Sequence, residues 1–212
     1  LDFDNLTEEN IYVLDSPILT NSQFKKFKKF FSKKTKVIDC TFDITSSLKE
    51  RIEEIREEAE TSVREGSTCI ILSDKNISNQ KASIPSILTV GAVHSHLVKH
   101  GLRGYCSLNI ECSDALDTHS FAILIGVGAT TVNPYLAIDS IFQRFEKKLF
   151  GKSDYESCVV KFKKSIDAGL LKIMSKMGIS VISSYRGGCN FEAVGLSRAI
   201  VSDYFPGMSS RI

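Results

Sequence analysis

Strand and helix patterns alternate along most of this chain, and this alternation constrains the fold more than any other feature. Residues 69–72, Cys-Ile-Ile-Leu, form an apolar run typical of a strand that is buried on both faces of a parallel sheet. Before it, residues 48–63 repeat apolar side chains at helical spacing, between a capping box that begins at Ser47 and a stop at Gly66. A short strand is predicted at 37–40. Such units in series predict an α/β fold with a mainly parallel sheet covered by helices.

The same alternation continues toward the C-terminus. Pro85 begins a predicted helix that ends at Gly101, and Asn133 with Pro134 begins another, because asparagine caps helices and proline fits their first turn. Residues 73–83 are predicted to form a loop, and Gly169 is a candidate break in a long helix. Open sheet and partial barrel both remain compatible with the pattern. The other predicted elements are strands at 105–110, 129–132 and 179–182, helices at 118–125 and 155–177, and short helices within 191–205.

The first 35 residues differ from the rest, so we divide the chain into an N-terminal extension at 1–35 and an α/β domain at 36–212. Lysines alternate with phenylalanines in the extension, which predicts an amphipathic helix with a basic face. Its phenylalanines can pack on the sheet, which is the commoner arrangement, or the helix can bind an anionic membrane or a partner. The residues are Lys25, Lys26, Lys28, Lys29, Lys33 and Lys34 with Phe24, Phe27, Phe30 and Phe31.

The composition is that of an ordinary globular protein. The net charge of +2 comes from 27 basic and 25 acidic residues and gives no overall field for nucleic acid. The longest apolar runs are shorter than the ~18 residues of a membrane span. Six cysteines without a C-x-x-C pair indicate reduced thiols in an intracellular, cytoplasmic protein. We therefore predict no nucleic-acid and no membrane partner, and we expect a chain that begins with Leu1 to be part of a larger protein.

Polar residues follow several predicted strands, at the edge where α/β sheets bind ligands. Arg186 lies in Tyr185-Arg186-Gly187-Gly188 between a predicted strand and a helix, where an arginine and free backbone N–H groups can hold an anion. Taken singly, such residues are more often loop caps or turns. An alternative therefore stays open, a free-standing domain that binds a small anionic ligand. The strand-end residues are Asp43, Ser73, Asp74, Glu111, Asn133, Ser183 and Ser184.

The four histidines do not form a complete metal site in the sequence. His96 and His100 have the spacing of two ligands on one helical face. Without the glutamate of a zincin motif or an evident third ligand, we predict hydrogen-bonded histidines and no metal. Residues 126–128, Gly-Val-Gly, lack the third glycine of a dinucleotide-binding loop and follow a helix instead of a strand. We predict no catalytic and no cofactor-binding residue in this chain.

Several segments are longer and more specific than secondary structure requires. Examples are 90–97, Val-Gly-Ala-Val-His-Ser-His-Leu, and 124–129, Leu-Ile-Gly-Val-Gly-Ala. The others are 14–19, 84–85, 101–103, 119–122, 133–137, 169–180, 184–187, 191–193 and 205–207. Their order and spacing resemble those of the central domain of glutamate synthase, a large multidomain flavoenzyme. The chain departs from that family at Ser95, which is usually His, at 188–189, usually Ala-Gln, and at 208–209, usually Thr-Ala.

This resemblance implies a place in a larger enzyme. In that family a glutaminase domain releases ammonia from glutamine, and a flavin barrel aminates 2-oxoglutarate and reduces the product to glutamate. The parent protein is then expected to use FMN and an iron-sulfur cluster, with NAD(P)H or ferredoxin as electron donor. Its expected partners include ferredoxin or a small electron-supplying subunit. A plastid location is expected if the parent's N-terminus carries a transit peptide.

The resemblance also implies that this chain is inactive alone and connects the glutaminase and flavin-barrel domains. The turns formed by these motifs are then expected to orient those neighbours, and an apolar patch should face them. The predicted interface or turn residues are His94, His96, Arg103, His119, Asn133, Pro134, Tyr135, Tyr185, Arg186 and Gly187.

Overall fold

The structure, a computed structural model, describes residues 12–188 and 190–211. Strands and helices alternate along these residues as the sequence predicts. The helices are α1 (Asn21–Phe31), α2 (Leu48–Arg64), α3 (Ser86–Lys99), α4 (Thr118–Gly126), α5 (Tyr135–Glu146), α6 (Tyr155–Lys176), α7 (Ile182–Tyr185) and α8 (Arg198–Tyr204). The strands are β1 (Thr35–Asp39), β2 (Thr41–Asp43), β3 (Cys69–Ser73), β4 (Lys81–Ser83), β5 (Ser107–Glu111), β6 (Thr131–Asn133), β7 (Glu192–Ala193) and β8 (Ser209–Ser210).

The main sheet is parallel and has the order β1-β3-β5-β6. Each strand of this sheet therefore pairs with the strand of the same sheet that follows it along the chain, and right-handed crossovers carry α2, α3 and α4 over one face of the sheet. Ile55 of α2, Val93 of α3 and Phe121 of α4 are fully buried in the core beneath them. The α/β fold with a mainly parallel sheet is confirmed.

Strand β3 is buried on both faces because the sheet is covered on both sides. Ile70 and Leu72 point into the core under α2 and α3, whereas Cys69 and Ile71 belong to a second cluster with Phe24 and other α1 residues. Every residue of β3 is buried. The apolar run at 69–72 thus has the environment that its composition predicts.

Helix α1 crosses the second face of the sheet like a strap. Just before it, Ile18 forms a parallel bridge with Val132 at the β6 edge, and just after it the chain enters β1 at the opposite edge. Eleven residues of helix rise about 16 Å, close to the ~19 Å that separates these edges across four strand spacings. Phe24 and Phe27 face the sheet and are 2% and 3% exposed. The predicted packing of the phenylalanine stripe on the sheet is confirmed.

Two predicted elements are wrong. Residues 81–83, placed in a loop, form β4, which pairs antiparallel with β2. Residues 179–182, placed in a strand, form no ladder within the described residues. Ile179 and Ile182 instead bury part of their side chains against the core, and α7 begins at Ile182. The apolar side chains at 179–182 are buried by packing and not by strand pairing, so their pattern resembles that of a strand. The β6 edge of the sheet is already paired with Ile18.

Helix α6 runs unbroken through Gly169, so the predicted break is wrong. A Cβ at Gly169 would lie 2.5 Å from the Thr118 methyl carbon of α4, so glycine allows the two helices to pack closely. The segment 191–205 contains α8 together with β7, which pairs with β8, and so only part of it is helical. None of the helices among the described residues has the length and apolar composition of a membrane span.

Candidate functional site

The ends of β3, β5 and β6 bring predicted strand-end residues together. We call Ser73, Asp74, Glu111, Asn133 and Tyr135 the strand-end cluster. Ser73 lies beside Glu111 in the sheet and Glu111 beside Asn133, and Ser73 Oγ donates a hydrogen bond of 2.7 Å to Glu111 Oε2. Parallel strands end at one edge, which is why three distant segments meet here.

Lysines from outside the sheet neutralise the strand-end cluster. Lys75 Nζ lies 2.9 Å from Glu111 Oε1, and Lys28 Nζ of α1 lies 3.4 Å from Glu111 Oε2. Although burial acts to raise the pKa of Glu111, hydrogen bonds from Lys75 and Ser73 and the charge of Lys28 hold that pKa below its ordinary value. Both lysines are thus paired with a carboxylate, and a second carboxylate, Asp74, is buried nearby. This charge pattern does not favour a small anionic ligand.

Other polar atoms of the cluster bind neighbouring segments, although Asp74 Oδ1 is buried without a hydrogen-bond partner. Asp74 Oδ2 accepts hydrogen bonds from the backbone N–H and the hydroxyl of Ser113, at 2.9 and 2.6 Å. Asn133 Nδ2 donates to the carbonyl of Leu19 at 2.9 Å and to Asn21 Oδ1 at 3.0 Å. Burial, followed by the charge of Asp74, raises the pKa of Tyr135. The two hydrogen bonds of Asn133 fix the start of α1 to the end of β6.

Three predictions for this edge are wrong. Asp43 ends β2 in the small antiparallel sheet, where its carboxylate accepts hydrogen bonds from the N–H and hydroxyl of Thr45. Ser183 and Ser184 lie in α7 because the strand predicted before them is not formed. Asn133 is the last residue of β6 and does not cap α5, whose N-cap is Pro134.

His94 is held between Arg103 and two glycine-containing turns. Arg103 Nε donates to His94 Nδ1 at 3.1 Å, Nη1 donates to the carbonyl of Cys106 at 2.7 Å, and Nη2 donates to the carbonyl of Gly128 at 2.9 Å. Burial, with the positive charges of Arg103 and Arg186, lowers the pKa of His94 to about 4. The imidazole is therefore neutral, accepts at Nδ1 and carries its proton on Nε2.

The turn at 185–187 packs onto this histidine. The N–H of Gly187 donates to the carbonyl of Gly126 at 2.7 Å, and a Cβ at Gly187 would lie 3.6 Å from His94 Nε2. Tyr185 is buried beneath the turn, with its ring edge-on to Phe191 at 6.2 Å between centroids. Tyr185 Oη and Arg186 Nε are two of the four side-chain atoms that are buried without a hydrogen-bond partner among the described residues. The turn therefore brings Arg186 close to the hydrogen bond between Arg103 and His94.

His96 lies on another side of α3 and meets a residue that the sequence did not indicate. His96 Nε2 and Glu60 Oε2 of α2 are 2.6 Å apart, and His100 Nδ1 lies 3.8 Å from the same oxygen. Hydrogen bonds from Arg64 and His96 lower the pKa of Glu60. Glu60 is 36 residues from His96 in the chain, so only the packing of α2 on α3 reveals this contact.

His119 lines an apolar groove between α3, α4 and the C-terminal segment. The groove encloses about 590 Å³. Val194, Leu196 and Ile200 lie along it and are 83%, 41% and 40% exposed. We call this surface the C-terminal groove; its other lining residues include Leu88, Ile123, Phe191 and Met208. His94, His96 and His119 are thus in three separate environments, and the structure does not bring them together.

The architecture and these polar turns define an α/β domain whose recognisable motifs contribute to packing and to turns within the chain. The family model described as "Glutamate synthase central domain" matches residues 3–197, and this chain belongs to that family. It is 50% identical to the glutamate synthase [NADPH] large chain of Azospirillum brasilense over 209 residues, which are 97% of this chain and 14% of that protein.

Other glutamate synthases are similar to this chain over a comparable part of their length. The chain is 40% identical to the glutamate synthase [NADPH] large chain of Bacillus subtilis and 36% identical to the chloroplastic ferredoxin-dependent glutamate synthase of Spinacia oleracea. Each match covers 94% of this chain and 13% of the relative. Among solved structures, DHODH of Eimeria tenella in complex with ferulenol matches 74% of this chain and 38% of its own, with a TM-score of 0.49 and 14% identity. The chain thus spans about a seventh of the large chains that it resembles.

Proposed function

We propose that the protein containing this chain makes L-glutamate from glutamine-derived ammonia and 2-oxoglutarate by flavin-dependent reductive amination. In this proposal the chain is the connecting domain between a glutaminase domain and a flavin barrel, and it takes no chemical step itself. The match of residues 3–197 to the central-domain family, at 13–14% of the length of the large chains, is the observation that carries the proposal.

We assign the cofactors to the rest of the parent protein. FMN and an iron-sulfur cluster would serve the synthase reaction, with electrons from NADPH, NADH or ferredoxin, either directly or through a small electron-supplying subunit. The names of the relatives include NADPH-, NADH- and ferredoxin-dependent forms, which supports this range of donors. A cytoplasmic location, or a plastid location as in the relatives named chloroplastic, belongs to the same proposal.

The C-terminal groove supports a connecting role. Isolated apolar side chains on a surface are common, but a continuous apolar groove is typical of a surface that another domain covers. Val194 is 83% exposed at this groove, and Leu196 and Ile200 lie beside it. The turn at 185–187 contacts Gly126, which packs against Phe191 of the groove, so the turn that carries the half-buried Arg186 adjoins the groove. We propose that the groove and this turn together contact a neighbouring domain.

Coupling between half-reactions tests this role in the full-length protein. Val194→Asp introduces a charge into the C-terminal groove without removing a buried side chain. We expect the rate of glutamine hydrolysis to be retained, while the amount of glutamate formed per glutamine hydrolysed falls because the neighbouring domain is displaced. The matched control is Leu149→Asp, because Leu149 is 65% exposed and lies outside the groove.

Two outcomes would contradict these proposals. An unchanged ratio in Val194→Asp, or an equal fall in Leu149→Asp, would refute the assignment of the groove to a domain contact. A full-length protein without glutamine-dependent glutamate formation would overturn the activity itself.

A further inference from the structure

Helices α2 and α3 bring together three potential metal ligands, which we call the Glu60 cluster: Glu60, His96 and His100. One donor atom from each residue lies within 4.8 Å of the other two. His96 Nε2 is 2.6 Å from Glu60 Oε2, His100 Nδ1 is 3.8 Å from it, and the two imidazole rings lie 4.3 Å apart between centroids. The i, i+4 spacing places His96 of α3 and His100, the residue that caps the C-terminus of α3, on the side that meets α2.

We propose that the Glu60 cluster binds one zinc ion and thereby joins α2 to α3. This inference rests on the described side chains of the two helices and is independent of the proposed function. Two imidazoles and one carboxylate form a ligand set that zinc accepts, with a fourth position left for water. Imidazole ligands favour zinc over magnesium and calcium, which prefer oxygen ligands alone.

The distances suit a tetrahedral ion after small movements. Zinc binds nitrogen and carboxylate oxygen at about 2.0–2.2 Å, which in a tetrahedral site separates two ligand atoms by about 3.3–3.6 Å. The observed separations of 2.6 and 3.8 Å lie on either side of this range. Binding exchanges the hydrogen bond between His96 and Glu60, and that from His100 Nδ1 to the carbonyl of His96, for bonds to the metal. His100 is exposed, so its ring is free to turn.

Arg64 prepares the carboxylate for one metal bond. Its Nε and Nη2 lie 2.8 and 2.7 Å from Glu60 Oε1, which fixes the carboxylate and leaves Oε2 directed at the histidines. Such outer contacts orient the ligands of many metal sites. The guanidinium charge also repels a cation, so we expect micromolar and not tighter affinity. The side chains of Glu60, His96 and His100 are 21%, 18% and 35% exposed, which leaves a path for the ion to enter.

Equilibrium dialysis of the full-length protein against buffered zinc chloride tests the site. Bound zinc is counted by mass spectrometry, so other metals in the protein do not interfere. The variants are His96→Ala, His100→Ala and Glu60→Gln, the last of which keeps a hydrogen-bonding side chain of equal size. The matched control is His119→Ala, which removes an exposed histidine from α4. Circular dichroism of each variant checks that it is folded.

We expect the wild-type protein to bind one zinc ion that Glu60→Gln and either histidine variant lose. Each substitution should weaken this binding at least about tenfold, since a ligand contributes no less than the outer contacts of a site. The His119→Ala control should bind zinc as the wild type does. X-ray absorption at the zinc edge should show nitrogen and oxygen neighbours, with imidazole scattering. Binding that is equal in wild type and His96→Ala, or no binding at millimolar zinc, would overturn the proposal.

Discussion

Replacement of Phe27 by alanine tests whether α1 is an integral layer of the fold. The Phe27 ring is 3% exposed and lies between Phe24 and Phe31, with centroids at 6.1 and 4.9 Å. Removing it loses the transfer free energy of a buried aromatic side chain, about 1.5–3 kcal/mol, and adds the cost of a cavity against Cys69 and Ile71. We therefore expect Phe27→Ala to lower the free energy of unfolding by about 3–5 kcal/mol.

Phe30 provides the matched control on the same helix. Its side chain is 44% exposed, so Phe30→Ala removes a phenyl ring with less burial and should cost about 1 kcal/mol or less. Urea unfolding of the 212-residue chain, followed by circular dichroism, gives both values. The dependence of the unfolding free energy on urea should be unchanged, since the same surface is exposed. A loss below about 1 kcal/mol for Phe27→Ala, or equal losses for both variants, would show that α1 does not cover the sheet.

Two further changes probe the contact around the 185–187 turn. The pKa of His94 is lowered to about 4 in the folded protein, against 6.5 for a free histidine. The unfolded chain therefore binds more protons between these two pH values. The contribution of His94 to the free energy of unfolding should be fully present above pH 6.5 and should fall as the pH drops toward 4. Imidazole NMR signals check this, and a His94 titration near pH 6.5 would contradict it. Gly126→Ala places a Cβ 2.1 Å from the Phe191 ring and should cost about 1–3 kcal/mol in urea unfolding. Gly104→Ala, which meets open space, should cost less than about 1 kcal/mol, and equal costs would refute the close contact.

Periodicity predicted the sheet layers well because burial acts on many residues at once. The run at 69–72 is apolar throughout since α1 covers one face and α2 with α3 covers the other. The same reasoning gave a false strand at 179–182, because apolar side chains pack equally well in a turn before a short helix. Strand β4 is Lys-Ala-Ser, and its pairing with β2 depends on backbone hydrogen bonds that leave no apolar pattern.

The candidate sites were predictable only where topology decides them. Ser73, Asp74, Glu111 and Asn133 meet because parallel strands end at one edge, a rule that needs no knowledge of side-chain contacts. Lys28 approaches that edge from α1, and no local pattern relates it to Glu111, 83 residues away. The Glu60 cluster was missed for the same reason, since its third ligand lies on another helix. Histidine spacing within α3 supplied two of the three residues and could not supply the third.

The strap formed by α1 has a consequence for the order in which the domain assembles during synthesis. Its anchor pairs with the β6 edge, where Asn133 binds the carbonyl of Leu19 across 114 residues of chain. Within this domain the phenylalanines of α1 are made before the strands that they cover, and this anchor does not exist until β6 has been made. Strands β1, β3 and β5 can pair successively in the meantime. Helix α1 is therefore made early in this domain but can dock fully only after β6, and a nascent chain that ends before Asn133 leaves the aromatic face of α1 exposed.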